Sequence, residues 1–164
     1  MAKKKRIKSF AAFGAFVMLV VLITIIIQLD FKKEEKKFEL IDFLAGYELT
    51  NLTTKDNTII LVNDAKSVEF EIDPIQMLSI KTITTGEISK RPFAHDLIKH
   101  ILNEYNIDLV AVRIHGKKGD LYYADMLFLK DNKALSLDSR PSDAIAIALR
   151  LNKPIYTKKE LLVS

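Results

Sequence analysis

No cysteine occurs among the 164 residues, which excludes disulfides, zinc–thiolate centres and thiol nucleophiles. A glycine-rich phosphate loop, a His-Glu-x-x-His metal motif and a serine elbow are absent as well. Net positive charge is missing from most of the chain. Residues 41–164 carry sixteen Lys/Arg against seventeen Asp/Glu, whereas residues 1–40 carry nine against four. The basic pI of about 9.1 therefore comes from the N-terminal segment. Nucleic-acid binders usually show a basic face, and the bulk charge of residues 41–164 gives no support for one.

Charge is absent altogether from Phe10 to Leu29, a run dense in Val, Leu and Ile. At about 1.5 Å per residue such a helix spans roughly 30 Å, the hydrocarbon thickness of a bilayer. A cleaved signal peptide normally has a shorter apolar region that ends at small residues, and Ile27-Gln28-Leu29-Asp30-Phe31 offers no such site. The reading is a single transmembrane helix over 10–29, contacting membrane lipid, after a basic segment 1–9 and before a charged linker 30–37. Lys3, Lys4, Lys5, Arg6 and Lys8 precede the span and Lys32, Lys33, Lys36 and Lys37 follow it. That balance favours a cytoplasmic N-terminus and a domain outside.

Residues 38–164 have the length of one globular domain, and a composition of 49% hydrophobic and 28% charged residues is that of a folded chain. Ile59-Ile60-Leu61-Val62 reads as a strand after a turn at 53–57, and Val68, Phe70 and Ile72 alternate with Glu69 and Glu71 in a half-buried one. Asp73 can cap a helix with Pro74 at its first position and Gly86 past its end, although Ile80 and four threonines or isoleucines after it favour β on propensity. Leu97, Ile98, Ile101, Leu102 and Tyr105 fall on one helical face. Ile107–Ile114 and Leu121–Leu129 predict a hairpin turning through 115–120, and Leu135 and Leu137 a third strand. Pro141–Leu151 is a helix with almost no polar face, which predicts deep burial, and Pro154-Ile155-Tyr156 adds a short strand. The elements follow no regular βαβ rhythm, so the fold class is α+β.

Two segments resemble each other. Arg91-Pro92 and Arg140-Pro141 each stand at a helix start, with Asp96 and Asp143 in or beside the first turn. A structural account explains both: proline suits the first helical position, and a carboxylate there offsets the helix dipole by about 0.3–1 kcal/mol. The functional reading uses the same physics, because a helix N-terminus with an arginine beside it binds phosphate. If the two starts converge, Arg91 and Arg140 frame one phosphate site, with Ser142 at its edge. His95, Asp96, Asp138 and Asp143 then supply acid/base groups or oxygen ligands for a divalent metal. His100 and His115 have no companions at ligand spacing.

The run Arg91-Pro92-x-x-His95-Asp96-Leu97-Ile98, then Leu121-Tyr122-Tyr123-Ala124, then Asp138-Ser139-Arg140-Pro141-Ser142-Asp143-Ala144-Ile145-Ala146, then Pro154-Ile155-Tyr156, resembles the bifunctional nuclease domain family. The resemblance implies a mixed, partly barrel-like β-sheet with packed helices, and an activity on RNA and DNA. Matching motif to chemistry, the expected catalytic residues are His95, Asp96, Asp138 and Asp143. Arg91, Arg140 and Ser142 are the expected phosphate binders, and Asp138 and Asp143 the holders of Mg²⁺ or Mn²⁺. Expected partners are nucleic acid or another phosphate-bearing ligand, with assembly into a homo-oligomer left open. The rival expectation is a non-enzymatic, membrane-anchored binding or scaffold domain for an anionic ligand or a partner protein.

Overall fold

The computed structural model describes residues 16–33, 42–87, 89–131 and 133–164. The chain divides into two units, residues 1–43 and 44–164. In the first, residues 16–33 form a helix, α1, with exposed apolar side chains such as Met18, Leu22 and Leu29. Among the described residues no helix is long and apolar enough to cross a membrane. The expected span 10–29 begins outside the described residues, as does the basic segment 1–9. The described stretch runs on into Asp30, Lys32 and Lys33.

The second unit is built on seven strands: β1 (Tyr47–Lys55), β2 (Thr58–Asn63), β3 (Lys66–Glu71), β4 (Asp108–Lys118), β5 (Leu121–Lys130), β6 (Lys133–Ser139) and β7 (Ile155–Lys158). Their order in the sheet is β3-β2-β1-β7-β4-β5-β6, antiparallel throughout except for β4 with β7. Strand β1 pairs with β7 through Tyr47–Thr50 and with β2 through Asn51–Lys55, so it passes from one half of the sheet to the other. The sheet is not closed, which corrects the barrel-like expectation. Instead of meeting β6, the outer edge of β3 is covered at Ser67 by Val163, whose N–H and C=O take both of its backbone bonds (2.9 and 2.8 Å).

Three helices cover one face of the sheet: α2 (Pro74–Thr85), α3 (Ala94–Glu104) and α4 (Pro141–Leu151). In α2 the Asp73 carboxylate accepts from Ile75 N–H (2.9 Å), Pro74 opens the first turn, and Gly86 closes it at φ 74°. The β-branched residues that argued against this helix turn their hydroxyls onto it: Thr82 donates to Ser79 C=O and Thr85 to Lys81 C=O. Helix α4 lies against β4 and β5 with α2 and α3 packed on it. Its Ala144, Ile145, Ala146 and Ala148 are fully buried, as its apolar composition predicts. They join Val112 and Ile114 of β4, Ala124 and Met126 of β5, and Ile59 and Leu61 of β2 in one core. The β4–β5 turn is tighter than the sequence suggests: it is made at Gly119-Asp120, while Gly116 stays in β4 beside a register shift. The turn between β1 and β2 likewise shrinks to Asp56 and Asn57.

Candidate functional site

The polar groups of the three helices meet in one network at the starts of α3 and α4. Ser79, in the middle of α2, is 2% exposed, and its Oγ lies 2.9 Å from Nδ1 of His95 in the first turn of α3. The other ring nitrogen of His95, Nε2, lies 3.2 Å from Oδ1 of Asp143 in the first turn of α4. Oδ2 of Asp143 accepts from Nε of Arg140 at 2.7 Å. The Gln76 amide satisfies its surroundings when its nitrogen donates to Ser142 Oγ (3.0 Å) and its oxygen accepts from both terminal nitrogens of Arg140 (2.9 and 3.2 Å).

Arg150 closes the network from below. Its side chain is 1% exposed; Nε donates to Asp96 Oδ1 (2.6 Å), Nη1 to the Ala146 carbonyl (3.0 Å) and Nη2 to Ser79 Oγ (3.1 Å). The second oxygen of Asp96 accepts from Phe93 N–H at 2.7 Å. Burial alone raises the pKa of Asp96, but the Arg150 and Phe93 hydrogen bonds and the nearby charges outweigh it and hold the carboxyl below its ordinary value.

These contacts suit one tautomer of a neutral imidazole. Ser79 Oγ accepts a hydrogen bond from Arg150, which leaves its own hydroxyl hydrogen to point at His95 Nδ1. Neutral His95 then carries its proton on Nε2 and donates it to Asp143. The line Ser–His–Asp looks like a hydrolase triad but runs inward: its serine is buried and cannot reach a substrate. Asp143 and Arg140 are the members that face water, with side chains 26% and 71% exposed.

Of the residues expected from sequence, His95, Asp143, Arg140 and Ser142 come together. Ser142 is 4% exposed and engaged with Gln76. Asp96 belongs to the same network through Arg150. Arg91 and Asp138 do not join it. Arg91 lies on the segment before α3 and faces a hollow with Lys99 and His100, while Arg140 faces another with Gln76, Tyr122 and Asp73. The helix starts converge, but the arginines do not share a cavity, because Arg91 stands two residues before the Phe93 cap. Asp138 is the register partner of Asp125, whereas its neighbour Ser139 pairs with Ala124 on the helix-covered face. Strand alternation therefore puts Asp138 on the opposite face of the sheet from Asp143. On that face Asp125 forms a bidentate ion pair with Arg113 (Nε to Oδ1, 2.8 Å), whose guanidinium lies 4.8 Å from the Tyr47 ring centroid.

Among the described residues no three His, Asp or Glu side chains are gathered to hold a metal ion. With Asp138 on the other face of the sheet, the pair expected to hold Mg²⁺ or Mn²⁺ is not brought together, and the described residues form no ready centre for either ion. Sequence reasoning missed Ser79, Gln76 and Arg150. Arg150 left one signal: a charged residue on a helix otherwise built of Ala, Ile and Leu must be either at an end or buried with partners.

An open mixed sheet covered on one face by three helices, with a polar network where two helix starts cross, defines an α+β domain with a site between its helices. The bifunctional nuclease domain model matches residues 59–164, and the chain belongs to that family. It is 26% identical over 125 residues to Bifunctional nuclease 2 of Arabidopsis thaliana, covering 73% of this chain and 38% of that protein. Bifunctional nuclease 1 of the same plant is 28% identical over the same lengths. An uncharacterized protein of Mycobacterium tuberculosis is 38% identical over 72 residues, 44% of this chain and 42% of its own. The chain thus spans about two fifths of the length of the curated relatives it matches.

Proposed function

We propose that the domain hydrolyses phosphodiester bonds of RNA or DNA and is held at a membrane by its N-terminal helix. The observation that carries the catalytic reading is the His95–Asp143–Arg140 contact at two converging helix starts, with the guanidinium largely open to solvent. Arg140 takes a non-bridging oxygen of the phosphodiester. Asp143, aligned by His95, accepts a proton from the water that attacks phosphorus, and the departing oxygen is protonated from solvent. Gln76 and Ser142 keep the guanidinium in register, while Arg150 and Asp96 hold Ser79 and thereby the imidazole. Asp138 has no part in this mechanism.

The test is cleavage of RNA and of single- and double-stranded DNA by the purified full chain in detergent, alongside Arg140→Ala, Asp143→Asn and His95→Ala. Each variant is expected to lose at least about tenfold in kcat/KM, the scale of one charge-assisted contact or proton-transfer group. Equal activity in all of them identifies a contaminant, and an inactive wild type removes the hypothesis. EDTA in the same assay decides metal assistance: cleavage lost in chelator and restored by Mg²⁺ or Mn²⁺ supports it, and full cleavage in chelator removes it.

The uncharged run 10–29 and the exposed apolar side chains of α1 support the anchor. External protease acting on intact cells is expected to digest the domain; complete protection would reverse the proposed orientation. A second reading, an anchored binding domain without catalysis, is favoured by the engagement of both His95 nitrogens and the burial of Ser79. Ligand binding by a wild type that turns over no nucleic acid supports it.

A further inference from the structure

Arg91 stands outside the mechanism above, and its surroundings have a chemistry of their own. With Lys99 and His100 of α3 it lines a hollow of about 330 Å³, at the lower end of small-molecule sites. Neither cation, Arg91 nor Lys99, has a carboxylate partner among the described residues. The carboxylate on the same wall, Asp96, is already matched by Arg150 at 2.6 Å and by Phe93 N–H at 2.7 Å, so it leaves the basic groups uncompensated. Glu87 on the exposed rim is the opposing charge, and the Phe93 ring adds an apolar wall. Like charges gathered around an open hollow repel one another and attract an anion. Arginine offers a planar fork that fits phosphate, lysine a compact second charge, and an aromatic ring a surface on which a base stacks.

We propose that this hollow binds a mononucleotide, with its phosphate on Arg91 and Lys99 and its base against Phe93. The hollow is too small for a duplex, and the inference does not depend on catalysis at Asp143. The buried Arg150 side chain lies between the two places, touching Asp96 on one side and Ser79 on the other.

The experiment is calorimetric titration of the full chain in detergent with 5′-AMP, adenosine and inorganic phosphate. 5′-AMP is expected to bind more tightly than either fragment. Arg91→Ala should weaken it about ten- to hundredfold, the loss of one charged hydrogen-bonding partner. Lys99→Ala should weaken it in the same direction, Glu87→Gln should tighten it, and Arg140→Ala should leave it in place. Wild-type affinity in both Arg91→Ala and Lys99→Ala overturns the proposal. So does phosphate binding as tightly as 5′-AMP, or binding that is lost with Arg140→Ala and kept with Arg91→Ala. A chain that cleaves nucleic acid yet shows no Arg91-dependent binding fails this inference alone; one that binds 5′-AMP through Arg91 without cleavage fails the nuclease reading alone.

Discussion

Arg91-Pro92 and Arg140-Pro141 are near-copies in sequence and opposites in structure. At α4 the arginine is itself the N-cap residue, Pro141 is the first helical residue, and Asp143 turns back to the arginine three positions earlier. At α3 the helix starts two residues later, on Phe93, so Arg91 and Pro92 lie outside it. Asp96 then accepts from the Phe93 N–H, one half of a capping box whose other half is missing because phenylalanine has no acceptor. Its second oxygen goes to Arg150, 54 residues away. One start spends its acid on a solvent-facing arginine, the other on a buried one. The same dipeptide thus precedes a solvent-open end at α4 and, at α3, a joint made by Asp96 and the buried Arg150.

The largest way to break that contrast is at the joint. Arg150→Met leaves Asp96 without its partner and Ser79 without a donor in a site whose guanidinium is 1% exposed. Removing one partner of a fully buried pair costs about 3–5 kcal/mol; because Asp96 is 27% exposed and keeps the Phe93 N–H, chemical unfolding should show a loss toward the lower end of that range or below it. Arg140→Ala removes a guanidinium that is 71% exposed, and its stability cost should stay below about 1 kcal/mol while cleavage collapses. Equal stability losses in the two variants would erase the distinction between joint and open end.

A smaller effect sharpens it through pH. The folded-state pKa of Asp96 lies below its ordinary value, so the unfolded chain binds its proton first as pH falls. The stabilisation from Asp96 is fully present above the unfolded pKa of about 3.9 and is lost as pH drops from there through the lower folded value. Unfolding of wild type and Asp96→Asn should therefore differ by a constant amount near neutrality, and the gap should close in acid. A gap that persists unchanged at the lowest pH where both chains fold would mean that Asp96 acts through shape rather than charge.

Much of this fold was legible because its signals are local. Asp73, Pro74 and Gly86 bracket α2; the alternation from Val68 to Ile72 marks β3; the run Ala144–Leu149 announces a buried α4. What stayed hidden depends on partners far apart in the chain. Ser79 and Arg150 are 71 residues apart, and nothing near either one says that they meet. The placement of β7 between β1 and β4, in parallel with β4, is likewise a tertiary choice. The site was half legible: the motif containing His95, Arg140 and Asp143 named the residues that meet. The proximity of Asp138 to them in sequence was misleading, because strand alternation turns adjacent residues to opposite faces.

The smallest effect tests the helix starts themselves. Proline stabilises where its fixed φ matches the native backbone, chiefly by restricting the unfolded chain, and replacing it costs roughly 0.4–1 kcal/mol. Both Pro92→Ala and Pro141→Ala lose that restriction. Pro141, however, is buried at the first helical position of α4, with Asp143 and Ala144 N–H groups bonded to the Arg140 carbonyl (both 3.1 Å). Its ring also contributes packing, so Pro141→Ala should lose about 1 kcal/mol or somewhat more, and exposed Pro92→Ala only a few tenths. The order of the two melting temperatures is the measurement. If Pro92→Ala proved the more damaging, the segment before α3 would be bearing on the fold as the start of α4 does, and Arg91 would be held by structure rather than left available to a ligand.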